Sequence, residues 1–308
     1  MDLSPRRTRR QRKELSEAQT LPHPEDKDRN SARYPDASVP AAPPASQFFS
    51  AEILTLPDPL PRSSTNLSRA DHSLLLHKQG LLRASPPPTT PAAISASLVF
   101  AQAEAGTAVC IHSSGLILTC SHCIAETQKE LDLKKDHHLL FASGVVITAK
   151  CVAWDGKRDL ALLQITAAQG HRVGQSFPAV EIAETAPKVG TKLLCVGHPG
   201  SEDLECEEAG VATGYDVLHV SQGSFRGYAD GQDVHDNEEI GALMHNCWTY
   251  WGHSGAPLAE VKSGKLVGLH SSWDDQTGMR RGVGAEAVQA FLHSTPIVPR
   301  GLLGGIRG

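Results

Sequence analysis

Short apolar runs of β type dominate the chain from about residue 94 onward. They are rich in Val, Ile, Leu and Ala, and Gly, Pro or Asp separates one run from the next. Examples are A-S-L-V-F, T-A-V-C-I, L-I-L-T-C, G-V-V-I-T-A, L-A-L-L-Q-I, K-L-L-C-V-G, W-T-Y-W and K-L-V-G-L-H. Many short strands with turn residues between them are typical of an all-β barrel or sandwich. A helical spacing of apolar residues returns only at Ala285 to Leu292, which predicts a short C-terminal helix.

The chain before these runs has a different composition. Residues 1–46 are rich in Arg, Pro, Glu, Asp and Ala, and such a segment buries too little apolar surface to offset its conformational entropy. We therefore predict a disordered basic, proline-rich tail over 1–46. Residues 47–93 are expected to form a partly ordered lead-in and linker, with a short helix at Ser73–Leu82. The folded domain is predicted over 94–295, and 296–308 is expected to be a flexible tail.

Charge and cysteine content narrow the class of protein. A formal net charge of -5 argues against a surface built to bind nucleic acid throughout. The basic run Arg6–Lys13 is compatible with a nucleic-acid contact or a nuclear signal, and a solvated tail is the alternative. Without a secretory signal or an apolar stretch of about 20 residues, we expect an intracellular protein, cytoplasmic or nuclear, with no membrane segment. The odd count of seven cysteines then favours reduced thiols over a disulfide framework.

Three segments carry side chains suited to nucleophilic catalysis. His122 follows an apolar run in G-L-I-L-T-C-S-H-C-I, Asp159 directly precedes one in W-D-G-K-R-D-L-A-L-L, and Ser254 lies in the turn W-G-H-S-G-A-P-L. Each residue alone has an ordinary structural interpretation, but the order His, Asp, Ser is one of the known orders of a catalytic triad. Asp155 competes for the acidic role. We favour Asp159 because it adjoins L-A-L-L, whereas Asp155 fits a turn residue.

These residue types match the needs of peptide hydrolysis. A serine hydroxyl is a weak nucleophile that requires a base, neutral imidazole accepts the proton, and a carboxylate fixes the imidazole tautomer. The backbone N–H groups of Gly252 and Ser254 are predicted to form the oxyanion hole, where glycine suits the backbone angles that such a turn requires. The predicted activity is a serine endopeptidase that works through an acyl-enzyme. A catalytically silent domain that binds an extended peptide by strand addition is the alternative.

The three segments resemble blocks of a known family. T-C-S-H-C resembles the T-A-A-H-C block of trypsin-like serine proteases, and G-H-S-G-A-P-L resembles G-D-S-G-G-P-L. R-D-L-A-L-L is similar to D-L-A-L-L of the high-temperature-requirement (Deg) proteases. The resemblance covers roughly 94–295 and implies two six-stranded antiparallel β-barrels with the active site in the cleft between them. It also implies that His122 is the general base, Asp159 its orienting acid and Ser254 the nucleophile, with a protein or peptide as substrate.

The sequence departs from this family at several positions. His253 stands where digestive trypsins carry an Asp that pairs with a newly cut N-terminus, so activation of that kind is not expected. The chain ends soon after residue 295, so we expect no PDZ domain of the Deg type. Cys120 and Cys123 form a C-x-x-C without a second pair, and His122 belongs to the predicted triad, so no metal and no cofactor are expected.

The segment K-L-V-G-L-H-S-S-W bears on specificity. In trypsin-like proteases the matching strand forms a wall of the primary specificity pocket, and here it carries His270 and Ser271. G-L-H resembles the G-I-H of staphylococcal glutamyl endopeptidase and the G-x-H of picornaviral cysteine proteases. In those proteases the His binds a Glu or Gln before the scissile bond. Trp248 stands where trypsins place a pocket Asp, and Trp248 and Trp251 are predicted to line the pocket. A packed core histidine with an apolar pocket is the alternative.

Overall fold

The first of two β-barrels is built largely from the apolar runs that the sequence analysis predicts as strands. The computed structural model describes residues 52–88, 90–101, 106–203, 205–206, 208 and 210–296. Six antiparallel strands close this barrel in the order β7-β4-β3-β2-β5-β6, with β6 paired to β7. The strands are β2 (Ser97–Phe100), β3 (Thr107–His112), β4 (Leu116–Thr119), β5 (Asp136–Phe141), β6 (Val146–Asp155) and β7 (Leu160–Gln169). Leu98, Ile117, Leu139, Ile147 and Leu162 are fully buried in its core.

The second barrel is also closed and six-stranded, in the order β10-β13-β12-β11-β8-β9, with β9 paired to β10. Its strands are β8 (Lys192–Gly197), β9 (His219–Tyr228), β10 (Leu243–His245), β11 (Pro257–Glu260), β12 (Leu266–Trp273) and β13 (Arg280–Gly284). A helix at Ala285–Ser294 follows and buries Val288, Phe291 and Leu292 in the core. The predicted pair of six-stranded barrels with a short C-terminal helix is confirmed.

The segment before the barrels contains more structure than the sequence predicted. A short strand, β1 (Leu54–Leu56), pairs in parallel with β7, opposite Ala167 to Gln169. The predicted helix at Ser73–Leu82 is too short, since helix α1 spans Arg69–Ala84. It begins early because the hydroxyl of Ser68 caps it by accepting a hydrogen bond from the Asp71 N–H at 3.1 Å.

Helix α1 is attached to the first barrel through its buried face. Leu75 and Leu82 pack in a cluster with Val99 and Leu140. Lys78 is 1 % exposed, and its ammonium donates to the Phe100 carbonyl at 2.9 Å. Burial lowers the pKa of Lys78 to about 8. The lead-in is therefore a packed layer of the structure.

Other elements are short, and some predictions fall outside the described residues. A four-residue helix, α2, spans Ala92–Ser95, and 3₁₀ turns lie at Arg62–Ser64 and Ser121–Cys123. All seven cysteines lie within the described residues, and none of them forms a disulfide. In the part of the chain that the structure describes, no helix has the length and apolar character needed to cross a membrane. The predicted tails at 1–46 and 296–308 lie outside the described residues, apart from residue 296 itself.

Candidate active site

His122 and Asp159 come together at the edge of the first barrel. The 3₁₀ turn Ser121–Cys123 follows β4 and carries His122, while Asp159 directly precedes β7. Antiparallel pairing of β4 with β7 matches Thr119 to Ala161, and this register places the two side chains next to each other. His122 Nδ1 lies 2.8 Å from Oδ1 and 3.1 Å from Oδ2 of Asp159. A carboxylate at this nitrogen fixes a proton there and leaves Nε2 free to act as a base.

Asp159 is held by several donors. It is fully buried, and Oδ1 also accepts from the Ser121 hydroxyl at 2.9 Å and the His122 backbone N–H at 3.3 Å. Oδ2 accepts from the Ser271 hydroxyl at 2.6 Å. A buried carboxylate is stabilised by such hydrogen bonds, because without them its desolvation cost would be uncompensated. These contacts hold the acid rigidly beside the imidazole.

Asp159 also has an unusual backbone conformation. Its φ is +53°, in the left-handed region, and it is the sole non-glycine residue with positive φ among the described residues. Asp and Asn tolerate this region better than other residues with a Cβ. The competing candidate, Asp155, instead accepts from the backbone N–H and the guanidinium of Arg158, at 2.9 and 2.5 Å. Asp155 therefore stabilises the turn that presents Asp159.

Ser254 lies in a turn that contacts the first barrel. Gly252 and Gly255 have φ values of +97° and +83°, which residues with a Cβ rarely adopt. The Ser254 carbonyl accepts from the Thr107 N–H at 2.8 Å, and the Gly252 carbonyl accepts from the Thr107 hydroxyl at 3.0 Å. A Cβ at position 255 would lie 2.0 Å from the Thr107 carbonyl oxygen. The turn is therefore fitted closely against β3.

Ser271 connects Ser254 to the His122–Asp159 pair. The Ser254 hydroxyl donates to the Ser271 carbonyl at 3.2 Å, while the Ser271 hydroxyl donates to Asp159. Within the described ranges, Ser254 makes no hydrogen bond to His122, so rotation of its hydroxyl would be needed before proton transfer. The Gly252 and Ser254 backbone N–H groups donate to no other described residue. They are thus available to an oxyanion.

Of the residues predicted to line the specificity pocket, His270 is buried, whereas Trp248 and Trp251 are half-buried. His270 is 5 % exposed, and its Nδ1 lies 3.0 Å from Nε2 of His245. Trp248 is half-buried and packs edge-on against His219 and His253, with ring centroids 4.6 and 5.5 Å apart. Trp251 is also half-buried. The structure thus places His270 directly behind the turn around Ser254, where its carbonyl accepts from the Gly255 N–H at 2.8 Å.

Buried histidines near the turn are neutral at physiological pH. Desolvation, with smaller contributions from neighbouring charges, lowers the pKa of His245 and of His253 to about 3. The pKa of His270 is held well below its usual range by burial first, and then by His245, His253 and Arg280. Each ring therefore offers one donor and one acceptor and carries no charge.

A set of possible metal ligands overlaps the site. Ligand atoms of Cys120, His122 and Asp159 lie within 4.8 Å of one another. Burial, followed by the nearby Asp159 charge, raises the pKa of the Cys120 thiol well above its usual value. Because a metal binds the thiolate, this environment opposes coordination. The set is better suited to hydrogen bonding than to holding an ion.

Sequence reasoning missed two polar contributors. Ser121 was not predicted, although its hydroxyl donates to Asp159. Its position directly before His122 in the histidine motif could have pointed to it. Thr107 contacts the turn around Ser254 through its backbone and side chain, but it lies 147 residues before Ser254 and no local sequence pattern marks it. Ser271 was predicted as a pocket residue, and its hydrogen bond to Asp159 was not foreseen.

A protein-family model and a solved structure are each similar to part of this chain. A search of curated proteins finds no match. Among solved structures, the serine endoprotease from Yersinia pestis is similar with a TM-score of 0.47 and 20% identity, over 68% of this chain and 67% of that one. The family model for the trypsin-like peptidase domain matches residues 106–269, which is more than half of the chain. The chain therefore belongs to the trypsin-like peptidase family.

Proposed function

We propose that this chain is a serine endopeptidase with His122, Asp159 and Ser254 as its catalytic triad. The observation that carries the proposal is the hydrogen-bonded path from His122 through Asp159 and Ser271 to Ser254. A buried acid, an imidazole with a fixed tautomer and a serine in a glycine turn are the parts that acyl transfer requires.

In the proposed reaction, the Ser254 Oγ attacks the carbonyl carbon of the substrate as His122 Nε2 takes the hydroxyl proton. The resulting oxyanion accepts hydrogen bonds from the backbone N–H groups of Gly252 and Ser254. His122 then gives the proton to the leaving nitrogen, so the C–N bond breaks and an ester forms at Ser254. Water, deprotonated by His122, cleaves this ester, and the proton returns to Ser254. Atoms and protons balance without a metal or cofactor.

Residue preference before the scissile bond forms the second part of the proposal. His245 contacts Nδ1 of His270, so Nε2 is the ring nitrogen of His270 that remains for a substrate. A neutral imidazole N–H can donate to a carboxylate or amide oxygen, which supports a preference for Glu or Gln. Loss of such a contact in His270→Ala would lower kcat/KM for these substrates by roughly 30- to 150-fold. A library selecting bulky apolar residues, unaffected by His270→Ala, would contradict this preference.

The triad is tested by reaction with a fluorophosphonate probe. We expect the purified chain to gain one adduct, mapped by mass spectrometry to Ser254, and Ser254→Ala to lose both labelling and peptidase activity. Ser263→Ala serves as the matched control, because that hydroxyl bonds the exposed Glu260 side chain. Retained wild-type turnover in Ser254→Ala would show that the assignment is wrong. Absence of labelling in the wild type, with binding of peptides intact, would favour the silent peptide-binding domain.

A further inference from the structure

An arginine lies on the same face of the second barrel as the pocket histidine. Arg280 is directly opposite His245 on β10 and directly opposite Trp273 on β12. Residues paired across antiparallel strands project to the same side of the sheet. His270 is paired with Gly282, which lies two positions after Arg280 on β13 and so shares its face. The register therefore places His245, His270, Trp273 and Arg280 together.

Two direct contacts lie within this group. Nε2 of His245 lies 3.0 Å from Nδ1 of His270, and the Arg280 guanidinium carbon lies 4.4 Å from the Trp273 ring centroid. Stacking on an aromatic face orients the planar guanidinium, which is a geometry suited to carboxylate recognition. Arg280 is half-buried, so it is partly accessible to a substrate side chain.

The neighbouring Arg281 provides an internal comparison. Successive residues of a strand project to opposite faces, and the Arg281 guanidinium donates to Gln232 at 3.1 Å. Its Cα partners are Met244 and Ser272, which are the neighbours of His245 and Trp273. Two arginines thus occupy adjacent positions with different surroundings, and only Arg280 shares the face of His270.

A neutral His270 carries no positive charge that could attract an acidic side chain of a substrate. A neutral imidazole donates equally well to the oxygen of a carboxylate and to that of an amide, so it distinguishes Glu from Gln weakly. Desolvation keeps His270 and His245 neutral, and the positive charge of Arg280 lowers the pKa of both further. Any selection of an acidic residue must therefore come from a permanent charge near these rings. The Arg280 guanidinium is such a charge.

We infer that Arg280 makes the primary specificity pocket select an acidic side chain, Glu or Asp, over the amides. The inference rests on the proposed peptidase activity and deepens it. His270 fixes the position of the side-chain oxygen and Arg280 supplies the opposite charge. Charge-assisted hydrogen bonds are stronger than neutral ones, so kcat/KM for Glu should exceed that for Gln by about tenfold or more.

The test uses paired fluorogenic peptides that differ only in Glu or Gln before the scissile bond, with active enzyme titrated by a fluorophosphonate. Arg280→Gln should lose the Glu preference while cleavage of the Gln peptide changes little. Arg280→Lys should keep part of the preference, and the control Arg281→Gln should keep it fully. If Arg280→Gln does not fold, Arg280→Met preserves the stem that stacks on Trp273 and removes the charge.

The outcomes separate this inference from the proposed function. An unchanged ratio in Arg280→Gln or Arg280→Met, or equal cleavage of both peptides by the wild type, overturns the role of Arg280 and leaves the peptidase intact. Cleavage confined to peptides with other residues at that site also overturns it. A wild type that neither reacts with the probe nor cleaves any peptide removes the proposed function, and the inference with it.

Discussion

Substitution of Asp159 by Asn tests the proposed triad most directly. Asn has nearly the same shape and tolerates the left-handed backbone at this position, so the turn before β7 should keep its conformation. The change replaces one acceptor oxygen with an NH₂ donor. Because hydroxyl and imidazole donors surround both carboxylate oxygens, the new NH₂ must face at least one former donor. We expect His122 to respond by moving its proton from Nδ1 to Nε2.

The expected loss of activity is large. With Nε2 protonated, His122 cannot accept the Ser254 proton, and enforcing this tautomer lowers kcat by about ten-thousand-fold in serine proteases of this type. That factor corresponds to about 5.5 kcal/mol of transition-state stabilisation. The Ser121 and Ser271 hydroxyls can rotate to accept from the new NH₂ group. The free energy of unfolding should therefore fall by only about 1–3 kcal/mol, the cost of a weakened buried hydrogen-bond network.

The assay compares peptide turnover, fluorophosphonate labelling rate and melting temperature for Asp159→Asn and Asp155→Asn. Asp155 is the matched control because it ends β6, just before the turn that contains Asp159, and bonds Arg158 instead of His122. Nitrogen chemical shifts of the His122 ring report its tautomer independently of rate. A folded Asp159→Asn protein that retains turnover within about tenfold of the wild type would refute the reasoning. A large loss in Asp155→Asn alone would assign the acid to the other residue.

Three further predictions concern stability. Gly255→Ala should abolish activity and lower the melting temperature. The new Cβ would clash with the Thr107 carbonyl, and the positive φ at this position disfavours a side chain. A fully active and equally stable variant would contradict this prediction. The free energy of unfolding should decrease as the pH falls from 6.5, the ordinary histidine pKa, toward about 3, the lowered pKa of buried His253. In this range the unfolded chain binds a proton at His253 that the folded chain does not bind. Melting curves from pH 7.5 to 4.5 measure this, and His253→Phe should flatten the slope. Deletion of residues 1–46 should leave the melting temperature nearly unchanged, whereas a deletion that extends through helix α1 should destabilise the first barrel; equal effects in calorimetry would contradict the second part.

The fold was predictable because its signals are local. Seven of the apolar runs became strands, and the turn residues between them marked where strands end. The prediction for W-T-Y-W, residues 248–251, is wrong, because this segment lies outside any strand, between β10 and the turn around Ser254. Strand β1 could not be predicted, because three residues are too few to show a periodic pattern and its partner β7 lies more than 100 residues away. Helix α1 was underestimated because its first turn, R-A-D-H, is polar and depends on the Ser68 cap.

In the site, too, residues in short sequence motifs could be predicted, whereas a residue brought close only by strand pairing could not. His122, Asp159 and Ser254 each lie in a distinctive short motif, so the sequence pointed to them directly. Arg280 carries no such mark. Its proximity to His270 follows only from the pairing of β13 with β10 and β12, which a single sequence does not reveal.

Under the proposed function, the contacts of Thr107 bear on when the molecule would become reactive during synthesis. A ribosome delivers the first barrel, with His122 and Asp159, well before the segment that contains Ser254. The turn around Ser254 is hydrogen-bonded to Thr107 at the start of β3, so we expect its native shape to require an already folded first barrel. Under the proposed function, a nascent or half-denatured chain would hold every catalytic side chain except a correctly shaped nucleophile turn. Such a chain would be harmless to neighbouring polypeptides.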